Sequence, residues 1–302
     1  MKSTETSGAV MVATGAVLIS FSAVFVKLAH VSPTMAGFYR TFFGGIMLLI
    51  ILGIRREALW RGASFFFLGI FCGGVFSLDL FFWHISIHYV GPGLATILAN
   101  FQVFLLALYG VLVLREPVAI RTMAAIPLAF LGLFLLAGIN WRQLGDTYRL
   151  GVVLGLATAV CYAVYLLALR KLQSQKKAPS AMANLAVISM VSALLLGLAA
   201  WLQNDPFAIP DRQSLFALAA YGLFSQVIGW VLITKGLARL RSSLVGLLIL
   251  LQPALSFAWD ILFFNRETDL FGAVGAALSL TAIYLGTTAK AAIKNEPEVN
   301  QI

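Results

Sequence analysis

Long apolar segments separated by short polar connections run along almost the whole chain. Each segment is about 20 residues long, which is the length of helix that crosses a hydrocarbon core of about 30 Å at 1.5 Å per residue. The connections near 30–33 and 91–93 are too short to hold a water-soluble domain. The pattern predicts an all-α polytopic membrane protein with ten transmembrane helices. They are expected near 8–28, 34–54, 64–87, 91–114, 118–139, 150–171, 181–203, 214–235, 242–264 and 270–290.

The composition agrees with a chain that is surrounded by lipid. Of the 302 residues, 61% are hydrophobic and only 11% are charged, too few to cover the surface of a soluble domain. The formal net charge of +9 raises the question of nucleic-acid binding. The basic residues stand in short clusters between apolar segments, however, which is typical of membrane topology. We therefore expect the lipid bilayer as a partner and no nucleic acid.

The positions of lysine and arginine predict the orientation of the chain. With the N-terminus in the cytoplasm, fifteen of the 21 Lys and Arg residues fall on the cytoplasmic side and six fall outside. Cytoplasmic loops of membrane proteins carry an excess of these residues. The sequence therefore predicts a multi-pass protein of the cell (inner) membrane with both termini in the cytoplasm.

The chain also repeats itself. Residues 84–116 align without a gap on residues 235–267. Corresponding pairs are Arg115-Glu116 with Arg266-Glu267 and Pro33-Thr34 with Pro179-Ser180. We expect two five-helix repeats, 1–145 and 146–302. Because five is an odd number, the two must cross the membrane in opposite directions, and inverted repeats of this kind are typical of secondary transporters with a central substrate site.

Three features near the ninth span carry a resemblance to a known family. They are the run 236–240, the pair Gln252-Pro253, and Glu267 fourteen residues after the proline. With the two five-helix halves, they make the chain similar to EamA-type permeases of the drug/metabolite transporter superfamily. The first half departs from the family pattern at Gln102, where proline is common. The resemblance implies that the first four helices of each half surround a central cavity and that the fifth and tenth spans lie at the periphery.

Two ionisable residues inside predicted spans are candidates for function, because charge within a membrane is costly. Arg40 is expected about 9 Å and Asp79 about 12 Å from the outer surface, counted along their helices. They could form a structural ion pair. Alternatively, Arg40 binds a substrate carboxylate or phosphate and Asp79 carries a coupling proton. Arg40 aligns with Ala186 in the second half, so the repeat does not require an arginine there.

Amide side chains form a second group, at the predicted midplane. Amides from both halves at one depth, about 14–18 Å from a helix end, favour a shared substrate site, although amides also join helices to one another. Two aromatic residues within spans could line the same cavity or simply pack. The resulting substrate-binding candidates are Asn100, Gln102, Gln226, Gln252, Tyr162 and Trp230.

The remaining titratable candidates are two histidines and an aspartate. His84 and His88 share one helical face, but no third ligand accompanies them, so we favour proton sensing over metal binding. Asp260, in the ninth span, has no obvious partner in the sequence and is a secondary coupling candidate. We expect neither a metal nor a cofactor.

These features predict a secondary transporter that exports small polar metabolites, such as amino acids or related compounds, by alternating access. The sequence contains no Walker motif, so proton coupling or exchange is expected in place of ATP hydrolysis. One rival is an intramembrane aspartyl enzyme that uses Asp79 and Asp260, although the Gly-x-Gly-Asp pattern is absent. Another is a non-transporting scaffold or sensor. We do not expect an enzyme. The protein could assemble as a homodimer.

Overall fold

The chain folds almost entirely into helices. The computed structural model describes residues 2–59, 62–113, 120–137, 145–173, 180–237, 248–249 and 251–293, and these residues contain no β-strand. The α-helices are α1 Lys2–Ser20, α2 Ser22–Leu28, α3 Pro33–Arg55, α4 Ala63–Val90, α5 Pro92–Asn100, α6 Gln102–Leu112, α7 Ile120–Ala137, α8 Asp146–Gln173, α9 Ala181–Leu202, α10 Arg212–Ala220, α11 Trp230–Leu237, α12 Leu251–Phe264 and α13 Leu270–Ile293. A π-helical segment, Tyr221–Gly229, joins α10 to α11.

Helices lie at each of the ten predicted positions, but they are not equally long. Seven stretches are long and apolar enough to cross a membrane: Thr6–Leu28, Pro33–Arg55, Ala63–Val90, Pro92–Gly110, Asp146–Leu169, Ala181–Leu202 and Arg212–Ile233. The fifth, ninth and tenth positions hold shorter apolar helices, within α7, α12 and α13. Most of 242–250 lies outside the described residues. The prediction of an all-helical chain with several membrane spans is confirmed, and the count of ten stays a prediction.

Helices of one half pack mainly on helices of the other. The extensively packed pairs include α3 with α9, α4 with α8, α5 with α12 and α7 with α13, and α1 packs against α11 and the π-helical segment. When each helix is replaced by the helix at the corresponding predicted position of the other half, each of these pairs becomes itself or another pair of the set. The fifth and tenth positions, α7 and α13, pack chiefly on each other. A side chain that lies between the helices of such a pair is therefore in contact with both halves.

Helix α4 packs against helices of both halves and closely approaches two of them, α9 and α8. A Cβ atom on Gly73 would lie 2.6 Å from the Val191 side chain of α9, and the hydroxyl of Ser192 donates to the Gly73 carbonyl at 2.8 Å. On its other side, the Ser86 hydroxyl donates to the Gly151 carbonyl of α8 at 2.8 Å. Small residues allow such close helix contacts within membranes. Polar residues on α4 are consequently buried between helices.

The first and fourth predicted spans are each interrupted by one residue. The helix breaks at Phe21, between α1 and α2, and at Phe101, between α5 and α6. Beside the first break, the Ser22 hydroxyl donates to the Ser225 hydroxyl at 2.9 Å, and the indole of Trp259 donates to the Ser20 hydroxyl at 2.9 Å. The interrupted helix is thereby joined to the π-helical segment and to α12.

The connection 203–211, between α9 and α10, is tied to the beginning of α3. Four side-chain hydrogen bonds join them, from Ser32 to Asp205, from Thr34 to Gln203, from Tyr39 to the carbonyl of Phe207 and from His30 to Asp211. The same end of the molecule holds Asp211 as the N-cap of α10. This connection is therefore a fixed part of the fold.

The helix N-caps refine the predicted alignment of the two halves. Ser32 caps α3 and Ser180 caps α9, each by accepting a hydrogen bond from a backbone N–H three residues later. Matching the caps aligns Arg40 with Ile188 and not with Ala186 as predicted. Both are apolar, so Arg40 has no charged counterpart under either alignment. The predicted alignment also pairs Arg115-Glu116 with Arg266-Glu267 and Pro33 with Pro179. Of these residues, Arg115, Glu116 and Pro179 lie outside the described residues.

Candidate functional site

Arg40 lies buried between the two halves of the chain. Its side chain extends from α3, and the residue is 5% exposed. The Nε atom donates to the Gln226 side-chain oxygen at 2.8 Å, and Nη1 donates to the Tyr221 hydroxyl at 2.9 Å. The guanidinium also lies over the rings of Tyr221 and Phe76, at 4.9 Å and 5.6 Å from their centroids. A buried cation requires such partners, because it has lost its hydration.

The π-helical segment explains how Tyr221 and Gln226 both reach one arginine. In an α-helix, residues five positions apart point about 140° away from each other, at about 100° per residue. In a π-helix the backbone bonds join residues five apart, so the two side chains lie on one face. Glycine on the facing helix makes the approach close, since a Cβ atom on Gly44 would lie 2.5 Å from Gln226 Cγ. The wider helix and the glycine together create the binding position for Arg40.

The hydrogen bonds continue from Arg40 into α4. Nδ1 of His84 donates to the Leu80 carbonyl, which leaves Nε2 as an acceptor. The Tyr221 hydroxyl, having accepted from Arg40, donates to this Nε2 at 3.2 Å. On the other side, the Gln226 amide nitrogen donates to the Ser189 hydroxyl of α9 at 2.9 Å. The network therefore has one consistent donor direction and fixes the imidazole in a single tautomer.

The predicted ion pair between Arg40 and Asp79 is not formed. Asp79 is buried on α4, 7% exposed, and within electrostatic range of Arg40. No ion pair joins the two among the described residues, and Oδ1 of Asp79 has no hydrogen-bond partner there. Phe76, one turn earlier on α4, lies beside the guanidinium, and Tyr221 and Gln226 accept from two of its N–H donors. The two charges are neighbours without being in contact.

Trp83 adds a second unmatched polar atom. It follows Asp79 by four residues, so both lie on one face of α4. The residue is 6% exposed, and its indole nitrogen has no hydrogen-bond partner among the described residues. A buried acceptor and a buried donor, both without a partner among the described residues, thus stand one helical turn apart on α4.

Aromatic rings of α8 complete the surroundings. Phe76 stacks on Tyr165 at 4.9 Å between ring centroids, and Tyr165 stacks on Tyr162 at 6.3 Å. Tyr162, a predicted site residue, is partly exposed and within electrostatic range of Asp79. Trp230, also predicted, opens α11 directly after the π-helical segment. The rings give the site an apolar wall.

The four predicted amides do not form one hydrogen-bonded group. Gln226 bonds to Arg40 and Ser189, as described above. The Asn100 amide donates to the Thr96 carbonyl of its own helix at 2.8 Å. Gln102 is buried and its side-chain oxygen has no partner among the described residues, and Gln252 is partly buried on α12. Within the described part of the chain, no hydrogen bond links Gln226 to the other three.

Asp260 has partners that the sequence did not indicate. The expectation that it is unpaired is wrong, because its carboxylate forms an ion pair with Arg266 at 3.2 Å and accepts from the Gly93 N–H at 3.0 Å. Arg266 also donates to the Val90 carbonyl at 2.8 Å. Gly93 belongs to the first turn of α5, where the helix dipole favours an anion. Asp260 and Arg266 therefore join α12 to the adjacent ends of α4 and α5.

The two aspartates of the rival enzyme hypothesis lie far apart. Asp260 is near Val90 and Gly93, whereas Asp79 lies eleven residues before Val90 on α4, which corresponds to about 16 Å along the helix. An aspartyl pair must share a proton at about 3 Å.

His84 belongs to the Arg40 network, while His88 lies one turn further on, with Nδ1 donating to the His84 carbonyl at 3.0 Å.

Several residues of this site were not among the predicted ones. Tyr221, Phe76, Trp83 and Ser189 all take part in it or border it. In a regular α-helix of 3.6 residues per turn, Tyr221 and Gln226 would point to different sides. Only the local change to a π-helix places them on one face. The aromatic residues gave no signal, because apolar helices in membranes contain many rings that face lipid.

Comparison with known proteins agrees with this architecture. The model of the EamA-like transporter family matches twice, over residues 6–138 and 149–288. An uncharacterized transporter of Bacillus subtilis (strain 168), YvbV, is 23% identical over 269 residues, with 88% of this chain and 86% of that protein covered. A protein of known crystal structure superposes with a TM-score of 0.66 at 21% identity, over 96% of this chain and 99% of that one. The predicted resemblance is confirmed: the chain is a multi-pass membrane protein and belongs to the EamA-like transporter family.

Proposed function

We propose that the chain is a secondary transporter that exports small polar metabolites, amino acids or related compounds, and binds their anionic group at Arg40. One observation carries this proposal. Of the five N–H donors of the guanidinium, two are used by Gln226 and Tyr221, and three have no hydrogen-bond partner among the described residues. A structural arginine buried this deeply would be expected to use its donors within the protein. Arg40 therefore retains the capacity to bind a carboxylate.

The position of Arg40 supports transport by alternating access. Arg40 extends from α3 and contacts Phe76 of α4 in the first half and Tyr221 and Gln226 of the π-helical segment in the second, and Gln226 bonds onward to Ser189 of α9. Relative movement of the halves would change the surroundings of this one site, as in other transporters built from two repeats. The exchange of packing partners between halves and the two separate family matches support an inverted arrangement with ten spans.

The energy source in this proposal is a proton gradient or exchange of solutes. Asp79 is the principal candidate for the coupling group, because it is a buried carboxyl next to the site. Asp260 is a weaker candidate, since its oxygen atoms already bind Arg266 and Gly93. His84 contributes to the network as a neutral ring in the donor arrangement described above.

Counterflow in proteoliposomes tests the proposed transport directly. Vesicles loaded with an unlabelled amino acid mixture should accumulate labelled amino acid only when the protein is present. Arg40→Gln should lower apparent affinity about 10- to 150-fold, because it removes a charged hydrogen-bond donor. Arg55→Gln, at the exposed end of the same helix, is the matched control and should transport normally. Equal transport by both variants would contradict the assignment, and no counterflow with peptide cleavage would favour the enzyme hypothesis.

The proposed location is the cell (inner) membrane with both termini in the cytoplasm. The support is the excess of lysine and arginine on one side of the predicted spans. A reporter that is active only in the cytoplasm, fused after Ile302, should be active. A signal only from a reporter that requires the outside would reverse the orientation and remove the argument for opposed halves.

A further inference from the structure

Two buried polar atoms of α4, the helix that carries Phe76 beside Arg40, have no hydrogen-bond partner among the described residues. Oδ1 of Asp79 can accept a hydrogen bond and Nε1 of Trp83 can donate one, and neither has a partner among the described residues. Both residues are more than nine-tenths buried, at 7% and 6% exposure. Leaving a buried polar group unpaired is unfavourable, so unpaired groups at a functional site usually await a ligand.

These atoms occupy a defined place relative to the guanidinium. Phe76 lies beside Arg40, and Asp79 and Trp83 follow it at three and seven residues, along the same face of α4. Residues at this spacing stand one and two helical turns away, about 5 and 10 Å along the helix. The carboxyl and the indole therefore lie on the face of α4 that carries Phe76, the residue beside the guanidinium.

We propose that Asp79 and Trp83 form a second subsite, in which Asp79 binds the ammonium group of a zwitterionic solute whose carboxylate binds Arg40. This assignment rests on the proposed function and names the substrate class more narrowly. Trp83 donates its N–H to the solute carboxylate or to a carbonyl beside it. The subsite makes the protein selective for α-amino acids over carboxylic acids that lack the amine.

Electrostatics explains why a zwitterion fits better than a simple anion. A solute with only a negative charge would satisfy Arg40 but would bring that charge towards Asp79 and leave the carboxyl unpaired. An amine without a carboxylate would bring a positive charge towards Arg40. Two opposite charges on one solute match both groups at once, and in a site of low dielectric constant such matching discriminates strongly.

Binding to the purified full-length protein tests the subsite. The probes are L-leucine and L-glutamine, each compared with its des-amino acid, 4-methylpentanoate and 4-carbamoylbutanoate, by calorimetry in detergent. The wild type should bind the amino acids roughly 10- to 100-fold more tightly than the des-amino acids. Asp79→Asn should reduce this preference to about threefold or less, because it weakens the binding of the amino acids and removes the repulsion that acts on the des-amino acids. Trp83→Phe, which removes the N–H and keeps an aromatic ring, although a smaller one, should weaken the binding of both members of each pair.

Two control variants separate the subsite from effects on folding. Trp259→Phe removes an indole N–H that already bonds to Ser20, and Asp146→Asn alters an aspartate whose side chain is 97% exposed; neither should change the preference. If Asp79→Asn abolishes the pH dependence of transport but keeps the preference, Asp79 carries only the proton and the subsite is wrong. Equal binding of amino and des-amino acids by the wild type would also overturn the subsite but leave the proposed function. Binding of neither class, with no counterflow, would overturn the proposed function itself.

Discussion

Tyr221 and Gln226 stand five residues apart in the sequence, yet both bond to the same guanidinium, that of Arg40. The π-helical geometry of 221–229 places them on one face. The tyrosine accepts from Arg40 and donates to His84, while the amide accepts from Arg40 and donates to Ser189. Tyr221 therefore links Arg40 of α3 to His84 of α4, and Gln226 links Arg40 to Ser189 of α9. The site depends on both residues.

Tyr221→Phe should destabilise the protein without changing its fold. The substitution leaves Nε2 of His84 and one donor of Arg40 without a partner in a buried site, which costs about 1–3 kcal/mol. Thermal denaturation in detergent measures the loss. Tyr109→Phe is the control, because Tyr109 is 37% exposed on the outer surface and should be neutral. An equal melting temperature for both variants would show that the Tyr221 hydroxyl is not part of a continuous network.

Gly44→Ala should displace Gln226. A Cβ atom at Gly44 would lie 2.5 Å from Gln226 Cγ and 2.6 Å from its Cβ, closer than atoms can approach. Overpacking of this kind costs about 1–3 kcal/mol, and here it should also lower the affinity for solute by moving a partner of Arg40. Gly53→Ala in the same helix meets nothing within 4 Å and is the matched control. Normal solute binding by Gly44→Ala would mean that the exact position of Gln226 is unimportant.

The helices and the chief buried cation could be predicted from the sequence, but side-chain partners could not. Apolar length locates helices because the bilayer sets it, and Arg40 is conspicuous because a charge in an apolar segment is rare. Depth along a helix placed Asp79 at the level of Arg40, and the structure agrees that they are neighbours. It could not show which groups bond to the guanidinium, and these are Tyr221 and Gln226 rather than Asp79.

Asp260 shows a second limit of reading helices by themselves. Its partner Arg266 lies six residues later, just beyond the end of α12, and turns back to reach the carboxylate. No helical period relates the two, since the chain leaves the helix between them. Its other partner is a backbone N–H of Gly93, which no side-chain pattern can indicate. Contacts formed by loop residues and backbone groups therefore remained beyond prediction.

Removing either member of the Asp260–Arg266 pair should be costly. Asp260 is nearly fully buried and Arg266 is only 17% exposed, so breaking the pair by Asp260→Asn should cost about 3 kcal/mol. The double variant Asp260→Asn, Arg266→Gln should cost less than the sum of the two single changes. A double-mutant cycle of unfolding free energies measures the difference. Strictly additive losses would mean that the ion pair contributes no coupling between α12 and the ends of α4 and α5.

Asp211 should contribute to stability in a pH-dependent manner. It lies outside the membrane spans, where the backbone N–H of Ser214, followed by the side chain of His30, lowers the pKa of its carboxyl. A carboxyl whose pKa is lower in the folded state stabilises above its unfolded pKa, about 3.9, and this contribution is lost as pH falls through the folded value. Asp211→Asn should therefore flatten the decline of melting temperature at acidic pH. Asp146→Asn, at a side chain that is 97% exposed, should not.

The four hydrogen bonds between the connection 203–211 and the start of α3 should affect the rate at which the protein changes conformation. They lie at the end of α3 nearest Arg40, so a movement that parts α3 from α9 at that end must break them. They contact no proposed solute group and hence have no part in selecting it. They act instead on the activation barrier between conformations. Weakening them should accelerate turnover when that movement is rate-limiting, while the choice of solute stays the same.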